Sequence, residues 1–158
     1  NPGPIMVELI KHIQKGRPPI FGDGSNLRTM SYIDNTVEAI LLAINNEKTN
    51  GNTYWIGDEK PYRLVDVYNE FAKQLNVKIN PMKIPWSICQ LAEKLDIFLG
   101  KIGQYHRHLH VCGETGHDIW CDTKKAKDDF GYEPKISLAE GVKKTVDSAR
   151  ELGLIDER

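Results

Sequence analysis

Gly16-Arg17-Pro18-Pro19-Ile20-Phe21-Gly22-Asp23-Gly24-Ser25-Asn26-Leu27-Arg28-Thr29-Met30-Ser31-Tyr32-Ile33-Asp34-Asn35, with the apolar run that follows it to Ile44, is the stretch around which the chain is organised. It predicts a short strand over residues 19–21, a tight turn, a second strand over 27–33 and then a helix. Asp23-Gly24 is a strong turn pair, because glycine supplies the positive φ that such turns need. Asp34 and Asn35 have the side chains of helix N-caps. Val37, Ile40, Leu41 and Ile44 follow at i, i+3, i+4, i+7, the spacing of one buried helix face.

Working outward, Pro4 suits the first position of a helix over 5–15 that Gly16 stops, with Ile5, Leu9, His12 and Ile13 on one face. Downstream, Thr49-Asn50-Gly51 reads as a turn and residues 53–56 as a strand rich in β formers. The clearest helix covers 64–75, with Leu64, Val67, Tyr68, Phe71 and Leu75 on one stripe. Residues 77–84 read as a strand interrupted at Asn80-Pro81. Pro85 then opens a helix whose face is Ile88, Leu91, Ala92, Leu95 and Leu99. Periodicity is lost over 100–116, which reads as loop. A strand over 118–121, a helix over 123–130 ended by Gly131, and a last helix opened by the capping box Ser137-Leu138-Ala139-Glu140 complete the chain. The fold class is therefore α/β: a small mixed domain of short strands and five to six helices, one unit over residues 1–158.

A chain of 158 residues with 40% hydrophobic and 27% charged side chains can bury a core of its own. The formal net charge of −1 gives no broad attraction to nucleic acid or to an anionic membrane. No run of about 18 apolar residues is present to span a bilayer. Three cysteines, Cys89, Cys112 and Cys121, are too few for a disulfide framework, and they favour a reducing cytoplasm. Cys89 flanks an apolar face and reads as a small core residue. Trp55, Trp86 and Trp120 read as packing residues.

The opening stretch resembles the segment "GKPPIFGDGxxxRxxxYVDNxxxAI" of the extended short-chain dehydrogenase/reductase family, the NAD(P)-dependent epimerases and dehydratases of nucleotide sugars. The resemblance continues through Gly51-Asn52-Thr53-Tyr54-Trp55-Ile56-Gly57. It runs on from Asp122-Thr123-Lys124-Lys125-Ala126 through Phe130-Gly131-Tyr132-Glu133-Pro134 to Leu138-Ala139-Glu140-Gly141. It implies the C-terminal, substrate-binding portion of such an enzyme. The N-terminal Rossmann domain, which carries NAD or NADP, is expected on polypeptide outside this chain. The opening Asn1-Pro2-Gly3-Pro4 fits that expectation of a fragment. Neither G-x-x-G-x-x-G nor G-x-G-x-x-G occurs, and no tyrosine has lysine four residues on, so no catalytic or cofactor-binding residue is assigned and the fragment by itself is expected to be inactive. The resemblance also implies a homodimer for the full-length enzyme.

Six residues are candidates for holding substrate. Arg28 occupies the family's arginine position before the "YVDN" strand, which makes it a ligand for the diphosphate of a sugar nucleotide; guanidinium suits phosphate oxygens. Read without the resemblance, it is an exposed strand arginine pairing with Asp23 or a neighbour. Ile20, Phe21 and Gly22 match the "PIFG" run, where backbone groups resemble a base-recognition edge; a buried strand end is the alternative. His117 and Asp118 belong to Gly116-His117-Asp118, which resembles the "PGHD" loop that closes over the nucleotide, although the basic residue usual beside it is missing.

Four of the five histidines lie between positions 106 and 117. His106, His108 and His110 alternate as on one side of a strand and could meet Zn²⁺ with Cys112, His117 or Cys121, but no C-x2-C pair accompanies them, and no metal is assigned. Asp66 and Glu70, and Lys124, Lys125 and Lys127 beside Asp128 and Asp129, read as solvated helix faces. Two alternatives stay open. Ile84-Pro85-Trp86 and the ending Ala149-Arg150-Glu151-Leu152-Gly153-Leu154 resemble 3β-hydroxysteroid or dihydroflavonol-type reductases as well. A non-enzymatic binding domain on the same scaffold is the third reading. If the strand and helix over 27–44 pack onto a cofactor domain, as the resemblance implies, this chain alone leaves an apolar patch exposed.

Overall fold

The computed structural model describes residues 2–156. Its helices are α1 (Pro4–Gln14), α2 (Ile33–Ile44), α3 (Leu64–Gln74), α4 (Trp86–Lys101), α5 (Arg107–Thr115), α6 (Lys124–Phe130) and α7 (Leu138–Glu151), with a 3-10 turn at Glu47–Thr49. Its strands are β1 (Pro19–Phe21), β2 (Leu27–Arg28), β3 (Tyr62–Arg63) and β4 (Met82–Ile84). They form two small sheets. β1 pairs in parallel with β4, and β2 pairs antiparallel with β3. The architecture is the expected small α/β mixture, with one helix more than the sequence pattern predicts among the described residues.

The main core collects around α3. Val67, Phe71 and Leu75 are each 2% exposed and pack with Ile10 and Ile13 of α1, Ile20 of β1, and Val142, Val146 and Ala149 of α7. The whole predicted stripe of α3 is buried, since four apolar positions per two turns leave one face no other place to go. α7 opens as the capping box requires, with Glu140 N–H donating to Ser137 Oγ at 3.3 Å. α6 ends at Gly131, whose φ of +73° makes it a left-handed C-cap. Ala126 and Phe130 of α6 pack with Ala39 of α2 and Tyr132 in a second, smaller cluster.

The start of α2 departs from expectation. The helix begins at Ile33 with Tyr32 as its cap residue and no side-chain cap. Asn35 lies inside the first turn, 1% exposed. Its Oδ1 accepts from the backbone N–H groups of Lys135 and Ile136 at 3.0 and 2.9 Å, and its Nδ2 donates to Ile136 O at 2.8 Å. Asn35 thus ties α2 to the segment entering α7, about 100 residues away. The apolar stripe of α2 faces outward: Ile33 is 62% exposed, Val37 47%, Ile40 53%, Leu41 56% and Ile44 74%. The expected exposed patch is present, on the face that helical periodicity alone would assign to a core.

Other expectations are corrected as well. The second strand stops at Arg28, because Thr29 donates to Ile119 O while Met30 O accepts from Asp58 N–H, so two different segments split what would be one ladder. Residues 53–56 have no ladder and are held by side chains; Tyr54 stacks edge-on against Phe130 and donates to Asp129 Oδ2 at 2.8 Å. The stretch 100–116 is largely helical, with α4 running to Lys101 and α5 following. The inward face of α4 is Cys89 and Ala92, leaving Ile88, Leu91 and Leu95 about half exposed. Small residues win that face because α5 comes close: a Cβ on Gly113 would lie 3.2 Å from Glu93 Cα. Face rotation affects α1 too, where Ile10 and Ile13 are buried while Ile5 is 48% exposed. The tryptophans stay partly in water, Trp55 at 68%, Trp120 at 54% and Trp86 at 39% exposure. Cys89 is the small core residue expected, 2% exposed.

Two stability measurements follow from this layout. Asn35→Ala strands two backbone N–H groups and a carbonyl, and is expected to cost about 2–4 kcal/mol in chemical denaturation. Ile40→Ser with Leu41→Ser should shift the isolated chain by less than about 0.5 kcal/mol per site, whereas Phe71→Ala should cost about 3–5 kcal/mol. Equal losses at the two places would contradict the outward orientation of α2.

Candidate functional site

Between α1, β1 and α3 on one side and α5 on the other runs a groove of about 490 Å³. Its walls are mostly apolar, with Met6, Leu9, Phe21, Met30, Val67 and Val111 among them. Arg28 is the one arginine on them. The strand that carries it is only two residues long, yet it is held on both edges. Arg28 pairs with Tyr62 of β3 on one edge and bridges Ile119 on the other. Leu27 N–H donates to Asp118 Oδ1 at 2.7 Å, and Ile119 N–H donates to Leu27 O at 2.9 Å.

The guanidinium is half-buried. Its Nη2 donates to the backbone carbonyl of Glu114, in the last turn of α5, at 2.7 Å. Among the described residues no carboxylate comes within ion-pair distance of it. Burial pulls its pKa down, opposed by the more distant charge of Glu114, by Tyr68 and by Asp118; an arginine so placed keeps its charge. Asp23, the alternative partner, is occupied elsewhere, accepting from Ser25 N–H at 2.9 Å, and Ser25's hydrogen bonds hold its carboxyl below the usual range. Tyr68, 5% exposed, also lines the groove; burial pushes its hydroxyl up to about 12, so it keeps its proton and can only donate or accept a hydrogen bond.

The other sequence candidates separate around this point. Phe21 is a groove wall, whereas Ile20 is 1% exposed and belongs to the core. Gly22 donates its N–H to Ile84 O at 3.0 Å and Phe21 O accepts from Gly24 N–H, so these polar backbone groups are engaged within the chain. Asp118 supports β2 directly. His117 sits on the surface, its ring edge-on to Trp86 at 5.0 Å and 3.4 Å from Glu93 Oε2. Gly116 makes that packing possible, because a Cβ there would lie 2.0 Å from the Trp86 ring.

The histidine run is helical, which removes the alternation expected of a strand. His106 is the N-cap of α5, His108 reaches the groove, and His110 lies between Asp96 and Glu114. Residues two apart on a helix point about 200° from one another. Among the described residues no group of three His, Cys, Asp or Glu side chains gathers around a point where a metal ion could sit.

Two contributors escaped the sequence reading. Asn26 Nδ2 donates to Thr115 O at 2.9 Å, fastening the end of α5 to the turn before β2. Glu114 acts through its backbone carbonyl, which no residue type announces. Only the family's "GDGxxxR" spacing, which brackets Asn26, could have drawn attention to that turn.

The groove thus combines mostly apolar walls with a single arginine held by backbone contacts. The family model for GDP-mannose 4,6 dehydratase matches residues 4–145, and the chain belongs to that family of NAD-dependent epimerases and dehydratases. It is 38% identical over 145 residues to the protein y4nL of Sinorhizobium fredii, covering 88% of this chain and 41% of that one. It is 30% identical over 148 residues to the Arabidopsis thaliana 3beta-hydroxysteroid-dehydrogenase/decarboxylase isoform 1, covering 82% of this chain and 33% of the relative. The fold is that of the UDP-glucuronic acid 4-epimerase of Bacillus cereus, solved with UDP-glucuronic acid and NAD: TM-score 0.64 at 21% identity, over 91% of this chain and 38% of that one. The chain thus spans between a third and about two fifths of these relatives.

Gly116→Ala should displace Trp86 and cost about 1–3 kcal/mol, with a shift in tryptophan emission read in the same titration. An unchanged spectrum at wild-type stability would show that the loop and the indole are not in contact.

Proposed function

We propose that the chain is the substrate-binding portion of an NAD(P)-dependent nucleotide-sugar epimerase or dehydratase, and that Arg28 receives the diphosphate of the substrate. The observation that carries this reading is the half-buried guanidinium on the wall of a groove, with no carboxylate partner among the described residues. A cation so placed gains most from an anion that enters and shares its low-dielectric surroundings. Arg28 would hold the diphosphate, Tyr68 would offer a hydroxyl, and Phe21 with Val111 would pack against the less polar parts of the ligand. NAD or NADP, bound to a Rossmann domain on the rest of the protein, supplies hydride transfer. This chain's part is to bind and orient the sugar, and misplacement by an ångström can cost about a hundredfold in rate. The outward apolar stripe of α2 supports the same reading, since it offers the cofactor domain an area to cover. On this reading the chemical step belongs to that domain.

A 3β-hydroxysteroid or related apolar hydroxy substrate is the alternative, favoured by the predominance of apolar side chains in the groove and by the 30% identity to the Arabidopsis dehydrogenase. Calorimetric titration of the complete protein with UDP-glucose and with a 3β-hydroxysterol separates the two. Arg28→Ala is expected to weaken UDP-glucose binding about ten- to hundredfold, equivalent to about 1.5–3 kcal/mol for a hydrogen-bonded charge. Arg28→Lys should recover part of that, because an ammonium keeps the charge and loses the fork. Wild-type affinity in Arg28→Ala, or tight sterol binding without UDP-glucose binding, would overturn the sugar-nucleotide assignment.

A further inference from the structure

We propose that His110 is a positioning residue for Arg28: its imidazolium, gripped between Asp96 and Glu114, fixes the last turn of α5, whose carbonyl aims the guanidinium into the groove. The proposal rests on Arg28 being the anion ligand, and it adds a control by pH that the family assignment does not contain.

The contacts set the protonation state. His110 Nδ1 lies 2.8 Å from Asp96 Oδ2 on α4, and Nε2 lies 3.2 Å from Glu114 Oε1 one turn further along α5. A neutral imidazole has a single N–H and can satisfy only one of two carboxylates. Only the imidazolium satisfies both. The groups facing the ring are Asp96 from α4, Glu114 from its own helix, and the Tyr105 ring from the connecting loop at 5.6 Å. The hydrogen bond that His110 donates to Asp96 is the largest influence and raises the pKa of His110 above its ordinary value, with the charges of Glu114 and Asp96 adding to it against some desolvation. A histidine raised in the folded state stabilises it fully below the unfolded pKa and loses that contribution as pH rises through the folded one. Deprotonation therefore leaves one carboxylate facing a lone pair, and the α4–α5 clamp loosens as pH rises through the raised pKa of His110.

The clamp is joined to the groove by two hydrogen bonds from the end of α5. Glu114 O accepts from Arg28 Nη2 at 2.7 Å, and Thr115 O accepts from Asn26 Nδ2 at 2.9 Å. Both acceptors are C-terminal helix carbonyls, the partially negative end of the helix, which suits a guanidinium. Glu114 is thus shared, with its side chain on His110 and its carbonyl on Arg28. A change of charge at the ring reaches the substrate cation through one residue.

Two readouts on the complete protein test this as pH is raised from about 5 through the range where histidine changes charge. The first follows the His110 ring and the Arg28 Nε–H by NMR; both are expected to shift together, with a midpoint above that of an ordinary histidine. The second is UDP-glucose affinity by calorimetry. It should fall about fivefold or more in the wild type as pH rises through that midpoint, a typical coupling between linked sites. His110→Gln should bind weakly with a flat profile, and Asp96→Asn should move the midpoint down. His110→Arg, permanently charged and able to reach both carboxylates, should bind tightly with a flat profile. The proposal is overturned if the ring titrates without moving the Arg28 signal, or if His110→Gln keeps the wild-type pH dependence. Absence of UDP-glucose binding at every pH and in every variant sinks the sugar-nucleotide assignment instead, and the Arg28 resonance then decides the clamp alone.

Discussion

The arginine of the groove depends on a strand only two residues long. Such a strand has almost no cohesion of its own, since isolated pairs of short strands are marginal in water. β2 persists because its backbone is bonded on both sides, to β3 and to the Ile119 segment, and because Asp118 caps the Leu27 N–H. Its neighbours come from positions 35 and about 90 residues downstream. The geometry of Arg28 is thus a property of the closed tertiary structure, and no local stretch of the chain determines it.

That dependence explains what the sequence pattern yielded and what it withheld. α3 and α7 were legible because their information is local: an apolar stripe in one case, Ser137 and Glu140 three residues apart in the other. α2 was legible as a helix but not in orientation, since periodicity says that a face is apolar without saying what covers it. In α4 the apolar arc and the buried arc differ. Close approach of α5 at Gly113 selects Cys89 and Ala92 for the contact and leaves the larger side chains outside. α5 itself was hidden by its histidines, which mimic a strand's alternation while occupying a short polar helix.

The site divides the same way. Arg28 could be singled out through resemblance, and it stands on a groove wall. Its acceptor could not, because a backbone carbonyl 86 residues away has no signature in the sequence. Ile20 and Gly22 illustrate the opposite case, in which a motif marks residues whose visible work is structural: one fills the core, the other bonds β4's end. Asn35 belongs here as well. Its type suggests a cap, yet its Oδ1 and an Nδ2 bond are turned toward the segment before α7.

The outward face of α2 connects these points. Five large apolar side chains stand there between about half and three quarters exposed, each able to contribute on the order of 1–2 kcal/mol if a second surface covered it. The covering surface would act on more than stability. α2 starts five residues after Arg28, and the intervening backbone is already fixed at Thr29 by Ile119 and at Met30 by Asp58. Anything that immobilises α2 therefore restrains the strand bearing the guanidinium from one end, while the Glu114 carbonyl restrains its side chain from the other. Covering of α2 and ordering of the Arg28 guanidinium are in this way physically coupled, because the apolar stripe and the arginine stand on consecutive elements.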